Sequence, residues 1–251
     1  MAKLSDVLAF CDQRTRRPEI QDFPGAENGL QIENNGTVTK IGAAVDGGLI
    51  PMQKAAQQGV DFLIVHHGMF WGGIKSISGK HRRKIKTAFD ANLALYGCHL
   101  PLDAHPEIGN NALLAQDIGL PADERFLPHE GEPIGLLARC PFDRHELARR
   151  LQERFPGPFK QILYGSENPE RVAVLTGSGR SALSHLKEHG VDTLITGELR
   201  QEHFNFAQEE GFNLFVCGHY HTETYGVCAL AAEAAEQFGL EWVFIETECP
   251  L

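Results

Sequence analysis

Three short stretches of the chain carry residues whose types and spacing suit divalent-metal chemistry. His66-His67-Gly68 follows the apolar run Phe62-Leu63-Ile64-Val65. A buried strand there would deliver both imidazoles to its carboxyl end. Side chains of adjacent strand residues diverge, so one ion would not take both in regular strand geometry. At a strand-to-loop turn each can serve one of two neighbouring ions. Asp103 lies in His99-Leu100-Pro101-Leu102-Asp103, where Pro101 argues for an extended loop rather than a helix. Its two carboxylate oxygens can bridge a pair of cations, which in two-metal hydrolytic sites stand about 3.5–4 Å apart. The third stretch is Gly218-His219-Tyr220-His221-Thr222-Glu223. If a helix opens at Thr222-Glu223, His219 meets Glu223 across its first turn.

Taken singly, each stretch has a plainer reading. A His-His pair also suits hydrogen-bonded loop histidines, Asp103 a helix cap, and Glu223 an acid favoured by the helix dipole. Together His66, His67, Asp103, His219 and Glu223 form a short, sensible ligand set for two ions, with water completing the coordination. Imidazole and carboxylate without thiolate fits zinc, iron or manganese. His99 and His221 are the candidates for orienting ligands or moving protons, with His105, His203 and Glu198 behind them. Gly177-Ser178-Gly179-Arg180 is the best candidate phosphate cradle, although an ordinary turn explains it as well.

Positioning these residues falls to an α/β fold in which short β-branched runs alternate with helical patterns. Strands are expected at Lys40–Val45, Asp61–Val65, Ala94–Gly97, Ile134–Arg139, Arg171–Leu175, Thr193–Thr196 and Asn213–Val216. A first helix is expected over Lys3–Gln13 with Ser5 as its cap, and another over Ser181–His189. The two halves repeat one pattern. Gly59-Val60-Asp61-Phe62-Leu63-Ile64 corresponds to Gly190-Val191-Asp192-Thr193-Leu194-Ile195, and Cys98-His99 with Asp103 corresponds to Cys217-Gly218-His219 with Glu223. Duplication implies a half from 1 to 125, completed by the C-terminal segment, and a second from 126 to 251. Ligands at the carboxyl ends of parallel strands then gather in a cleft between pseudo-two-fold related halves.

The formal charge of −10 argues against an extended nucleic-acid footprint. The basic run Lys80 to Lys86 reads as a solvated helix face. The first ten residues lack a signal-peptide pattern, no apolar run reaches membrane-spanning length, and the six cysteines form no CxxC pair. A cytoplasmic protein with reduced thiols is expected.

His66-His67-Gly68, His99-Leu100-Pro101-Leu102-Asp103, Thr196-Gly197-Glu198 and Gly218-His219-Tyr220-His221-Thr222-Glu223 resemble, in order, the motifs of the Nif-three-like dinuclear metal proteins. That family is also known as GTP cyclohydrolase I type 2. Glu27-Asn28-Gly29-Leu30-Gln31 fits too, and the length is that of the short form without a central insert. The resemblance implies two similar α/β halves and a dinuclear centre at their interface, with His66, His67, Asp103, His219 and Glu223 as ligands of two divalent ions. It implies a toroidal homohexamer and a hydrolase acting through metal-activated water on a small molecule such as a nucleotide or related heterocycle. The alternative is a non-catalytic metal-binding ring that serves as a scaffold or binds a partner. A metallophosphoesterase is disfavoured, because the chain lacks an early Asp-x-His and a Gly-Asn-His-Asp or Gly-Asn-His-Glu motif.

Overall fold

A computed structural model of the protein describes residues 1–73 and 76–250. The chain opens with β1 (Ala2–Lys3), α1 (Leu4–Thr15), β2 (Gly29–Ile32) and β3 (Thr37–Val38). It continues through β4 (Lys40–Asp46), α2 (Leu49–Gln57), β5 (Phe62–His67), α3 (Gly79–Asp90), β6 (Ala94–Gly97) and α4 (Leu100–Asp103). Then come α5 (Asn110–Asp117), β7 (Ala122–His129), β8 (Glu132–Arg139), α6 (Arg144–Arg154), β9 (Lys160–Leu163) and β10 (Arg171–Ser178). Two 3-10 turns lead to β11 (Thr193–Glu198), α7 (Glu202–Glu210), β12 (Asn213–Val216), α8 (His219–Thr222), α9 (Thr224–Phe238) and β13 (Glu241–Phe244).

Two compact units result. The first comprises Met1–Leu102 and Gly226–Glu248, and the second comprises Asp103–Tyr225 with the last residues of the chain. The first boundary thus falls at 102/103 rather than near 125, which puts Asp103 in the second unit. Position 251, the end expected for the second half, lies outside the described residues.

Within the first unit the sheet order is β13-β4-β5-β6-β2. Strands β4, β5 and β6 run parallel, and β2 pairs antiparallel with β6 at one edge. Within the second unit the order is β7-β8-β10-β11-β12-β9. Strands β10, β11 and β12 run parallel, and β9 pairs antiparallel with β12. Each unit therefore holds an antiparallel edge strand that precedes three parallel strands in sequence, the topological form of the repeat. The central strands are apolar on both faces, as parallel strands covered by helices must be. Val60, Leu63, Val65 and Leu95 anchor the core of the first unit, and Leu114, Leu151, Val174, Ile195 and Phe215 that of the second.

Several local expectations are corrected. Strand β5 extends through His66 and His67, because Asp46 pairs with His67 and the Gly47 N–H donates to the His67 carbonyl at 2.7 Å. Strand alternation then buries His66 and leaves His67 partly exposed. The segment 100–103 is one helical turn rather than an extended loop; Pro101 fits because first-turn N–H groups need no intrahelical partner. His219 begins α8 rather than standing outside a helix opened by Thr222, so Glu223 follows as its C-cap. Helix α1 starts at Leu4, directly after the β1–β3 pairing, and Ser5 bonds Asp6 instead of capping it. The expected helix over Ser181–His189 is two 3-10 turns bonded three residues back, such as His185 N–H to the Ala182 carbonyl at 2.9 Å. That winding rises more per residue than an α-helix. Helix α3 carries the basic run, and its half-buried Lys84 donates to the Gly47 carbonyl at 2.8 Å.

Candidate metal centre

In the first unit the ends of β5 and β6 assemble three imidazoles. One ligand atom each from His66, His67 and His99 lie within 4.8 Å of one another. Their ring centroids are 4.9 Å apart for His66–His67 and 4.8 Å for His66–His99. Every Nδ1 in the group is held by an oxygen. His66 Nδ1 meets the Cys98 carbonyl at 3.1 Å, His67 Nδ1 meets Asp46 Oδ1 at 3.0 Å, and His99 Nδ1 meets Asp22 Oδ1 at 2.9 Å. A carbonyl or carboxylate oxygen accepts, so each Nδ1 carries a proton, and in the neutral ring the lone pair is then on Nε2. This is the orientation that carboxylates and carbonyls impose on metal-ligating histidines.

Asp22 is itself locked. It accepts from the Leu100 N–H at 2.9 Å and from Asn28 Nδ2 at 2.7 Å. Burial works against its charge, but the bonds from His99, Asn28 and Leu100 outweigh it and hold the carboxyl below the usual carboxylate range. Gly68 and Gly97 make room for Gln31: a methyl on either glycine would overlap the Gln31 amide. That amide accepts from the Met69 N–H at 2.8 Å, pinning the backbone just past the histidines.

In the second unit His219 and Glu223 stand one helical turn apart, with His219 Nε2 at 3.0 Å from Glu223 Oε1. Glu198, the last residue of β11 as His67 is of β5, meets His219 Nδ1 at 3.2 Å. Burial alone would lower the His219 pKa; the Glu223 and Glu198 carboxylates outweigh it and push the value up to about 9. Gly177, at the end of β10 with φ +62°, lets Glu223 approach, since a methyl there would occupy the place of Glu223 Oε1 and come within 3.2 Å of His219 Nε2. One residue earlier, Thr176 Oγ1 lies 3.5 Å from Asp103 Oδ1, which also accepts from Asn110 Nδ2 at 2.7 Å. The 176–177 step of β10 therefore has Asp103 against one residue and Glu223 with His219 against the next.

The donor sets fit a borderline divalent ion: three imidazoles oriented through Nδ1 in the first unit, a histidine with a buried carboxylate one turn away in the second, and a glycine cradle that a side chain would fill. The structure brings His66 and His67 together with His99, a residue expected to orient ligands rather than to join them. It brings His219 and Glu223 together, with Asp103 on the adjacent strand residue. His221 is in neither ligand group; its ring lies edge-on to Tyr220 at 5.5 Å between centroids. His203 Nδ1 accepts from the Arg200 N–H at 2.9 Å and closes a turn.

The family model for Duf34/NIF3 (NGG1p interacting factor 3) matches residues 2–250. The chain belongs to the Duf34/NIF3 family. Among family members, a Deinococcus radiodurans protein named GTP cyclohydrolase 1 type 2 homolog is 41% identical over 221 residues, covering 87% of this chain and 84% of its own. An Archaeoglobus fulgidus protein of the same name is 37% identical over 243 residues, covering 97% of each chain. The crystal structure of a Thermus thermophilus protein superposes with a TM-score of 0.88 at 39% identity, covering 100% of both chains. Asp22 and Asp46, which orient two of the imidazoles in this Duf34/NIF3 chain, escape a reading of the sequence. They stand far from their histidines along the chain, and nothing local to either residue points to its histidine.

Proposed function

We propose that the protein is a metal-dependent hydrolase that holds two divalent ions on His66, His67, Asp103, His219 and Glu223 and acts on a nucleotide or related heterocycle. The observation that carries the reading is the uniform fixing of His66, His67 and His99 through Nδ1 by oxygen acceptors. Three imidazoles prepared alike as lone-pair donors in one cluster have no comparable purpose in a purely structural site. The relatives' name, GTP cyclohydrolase 1 type 2 homolog, supports the substrate class. When bound, such ions acidify water and polarise the carbon or phosphorus under attack.

The chain's own residues do the rest. His99 stands beside His66 and His67, where it can orient these ligands or move a proton, and Asp22 keeps its proton on Nδ1. Glu198 orients His219, and Gly177 leaves room for the Glu223 carboxylate. His221 is assigned to proton transfer, and the oligomer to a ring of six copies. No helix among the described residues is long and apolar enough to cross a membrane. The test is a turnover screen over nucleotides, pterin precursors and phosphoesters with the metal-reconstituted protein and its Asp103→Ala and Glu223→Ala variants. Metal-dependent turnover lost in both variants is expected. A cellular phenotype that survives complete loss of metal would leave the metal-binding scaffold as the function instead. Light scattering that gives a mass other than six chains would remove the ring.

A further inference from the structure

Trp71, one of two tryptophans in the chain, lies four residues beyond His67. Its indole stands edge-on to two imidazoles of the first unit's cluster. The ring centroids are 4.8 Å from His99 and 5.6 Å from His67, with interplanar angles of 83° and 85°. The residue nevertheless keeps 44% of its surface exposed. A single exposed aromatic side chain means little by itself. This one is held in place by the backbone. The Phe70 carbonyl accepts from the Gly73 N–H at 2.8 Å, which closes a turn with Trp71 and Gly72 at its centre. Gly72 has φ +78°, the left-handed value that the third position of a type II turn needs.

The turn is docked as well as closed. The Gly72 N–H donates to the Gly25 carbonyl at 2.9 Å, and a methyl on Gly25 would come within 3.0 Å of Gly72 Cα. Trp71 is thus presented on a fixed support beside His67 and His99, with much of the indole open to solvent. An indole carries no charge and no strong acceptor; what it offers is a broad π face. Such a face takes a planar ring by stacking and attracts neither a phosphate nor a sugar comparably. Fixed apolar surface next to a few oriented polar groups is the usual composition of a small-molecule site.

We propose that Trp71 is the platform on which the planar heterocycle of the substrate stacks, next to His67 and His99. The inference rests on the hydrolase reading, which supplies the substrate class. Trp71 is a specificity-determining residue: it selects the flat ring of a nucleotide rather than its sugar or phosphate, and brings that ring to the edge of the imidazole cluster.

The experiment is a calorimetric titration of the metal-loaded full chain with guanosine, and separately with ribose and inorganic pyrophosphate, with metal content measured on every sample. Trp71→Ala should weaken guanosine binding about tenfold or more at unchanged metal content, and Trp71→Phe, which keeps a smaller aromatic face, should retain most of the affinity. In Trp242→Phe, which leaves Trp71 as the only indole, guanosine should quench the emission with the midpoint found by calorimetry. No guanosine binding by the parent protein, equal affinity in Trp71→Ala, binding without quenching, or ribose or pyrophosphate bound as tightly as guanosine would each overturn the proposal. Loss of metal from Trp71→Ala would overturn it too, by making the indole a support for the ligands. Guanosine binding that Trp71→Ala weakens in a protein unable to take up metal would uphold the platform and refute the hydrolase reading. Metal-dependent turnover in a protein whose Trp71→Ala variant binds guanosine unchanged would do the reverse.

Discussion

Replacing Gly177 by alanine isolates the contribution of the Glu223 carboxylate. Two costs arise and they can be separated. The first is conformational: φ at Gly177 is +62°, and a non-glycine residue there costs roughly 1–2 kcal/mol. The second is local: the new methyl would occupy the position of Glu223 Oε1 and crowd His219 Nε2 at 3.2 Å. Glu223 is almost fully buried, so its carboxylate has little room to retreat without leaving His219. Gly190→Ala provides the control. Its φ is +65°, and nothing lies within 4 Å of the added methyl, so it bears only the conformational cost. In denaturant titrations Gly190→Ala should lose only the conformational part, and Gly177→Ala should lose that and more. Only Gly177→Ala should weaken metal binding, by at least the roughly 10–100-fold typical of disturbing a ligand's support, or about 1.4–2.7 kcal/mol. Competition against a chromophoric chelator reads the affinity directly. A folded Gly177→Ala protein with the affinity and stoichiometry of Gly190→Ala would refute the placement of Glu223 as a ligand.

Asp22→Asn should disturb His99, because an amide nitrogen would replace one of two oxygens that now accept from His99, Asn28 and Leu100. Metal affinity should fall roughly 10–100-fold, and nitrogen NMR of His99 should show the proton shared between its ring positions; an unchanged tautomer with native affinity would remove Asp22 from the site. In the metal-free protein His219 keeps its proton to about pH 9 against an ordinary value of 6.5. A raised folded-state pKa means its stabilising contribution is complete below about 6.5 and lost as pH rises toward 9. Metal uptake near pH 7.5 should therefore release a proton from His219, detectable in weakly buffered solution, and Glu198→Gln should shrink that release. Uptake without proton release would contradict the pairing of His219 with Glu198 and Glu223.

The central parallel strands β4, β5 and β6 of the first unit and β10, β11 and β12 of the second were legible because burial on both faces makes them unbroken apolar runs, as in Phe62–Val65 and Val172–Leu175. The edge strands β2 and β9 were not. Gly29-Leu30-Gln31 and Lys160-Gln161 carry little strand pattern, and they are ordered by their pairing with β6 and β12. The site divides in the same way. Ligand types were readable at strand ends, whereas Asp22, Asp46 and the room that Gly68 and Gly97 leave for Gln31 depend on contacts between segments distant in sequence. Pro101 misled because a proline that forbids a helix interior is welcome in the first turn of one. Placing His99 beside His66 required the register of β5 against β6, which no local pattern encodes.

The central claim is that this chain holds two divalent ions. Elemental analysis of protein purified without added metal, repeated after reconstitution with zinc, iron or manganese, tests it most directly. The account predicts two ions per chain, with stoichiometry falling when Asp103 or Glu223 is replaced by alanine. Fewer than about one ion per chain, not recovered on reconstitution, would contradict it.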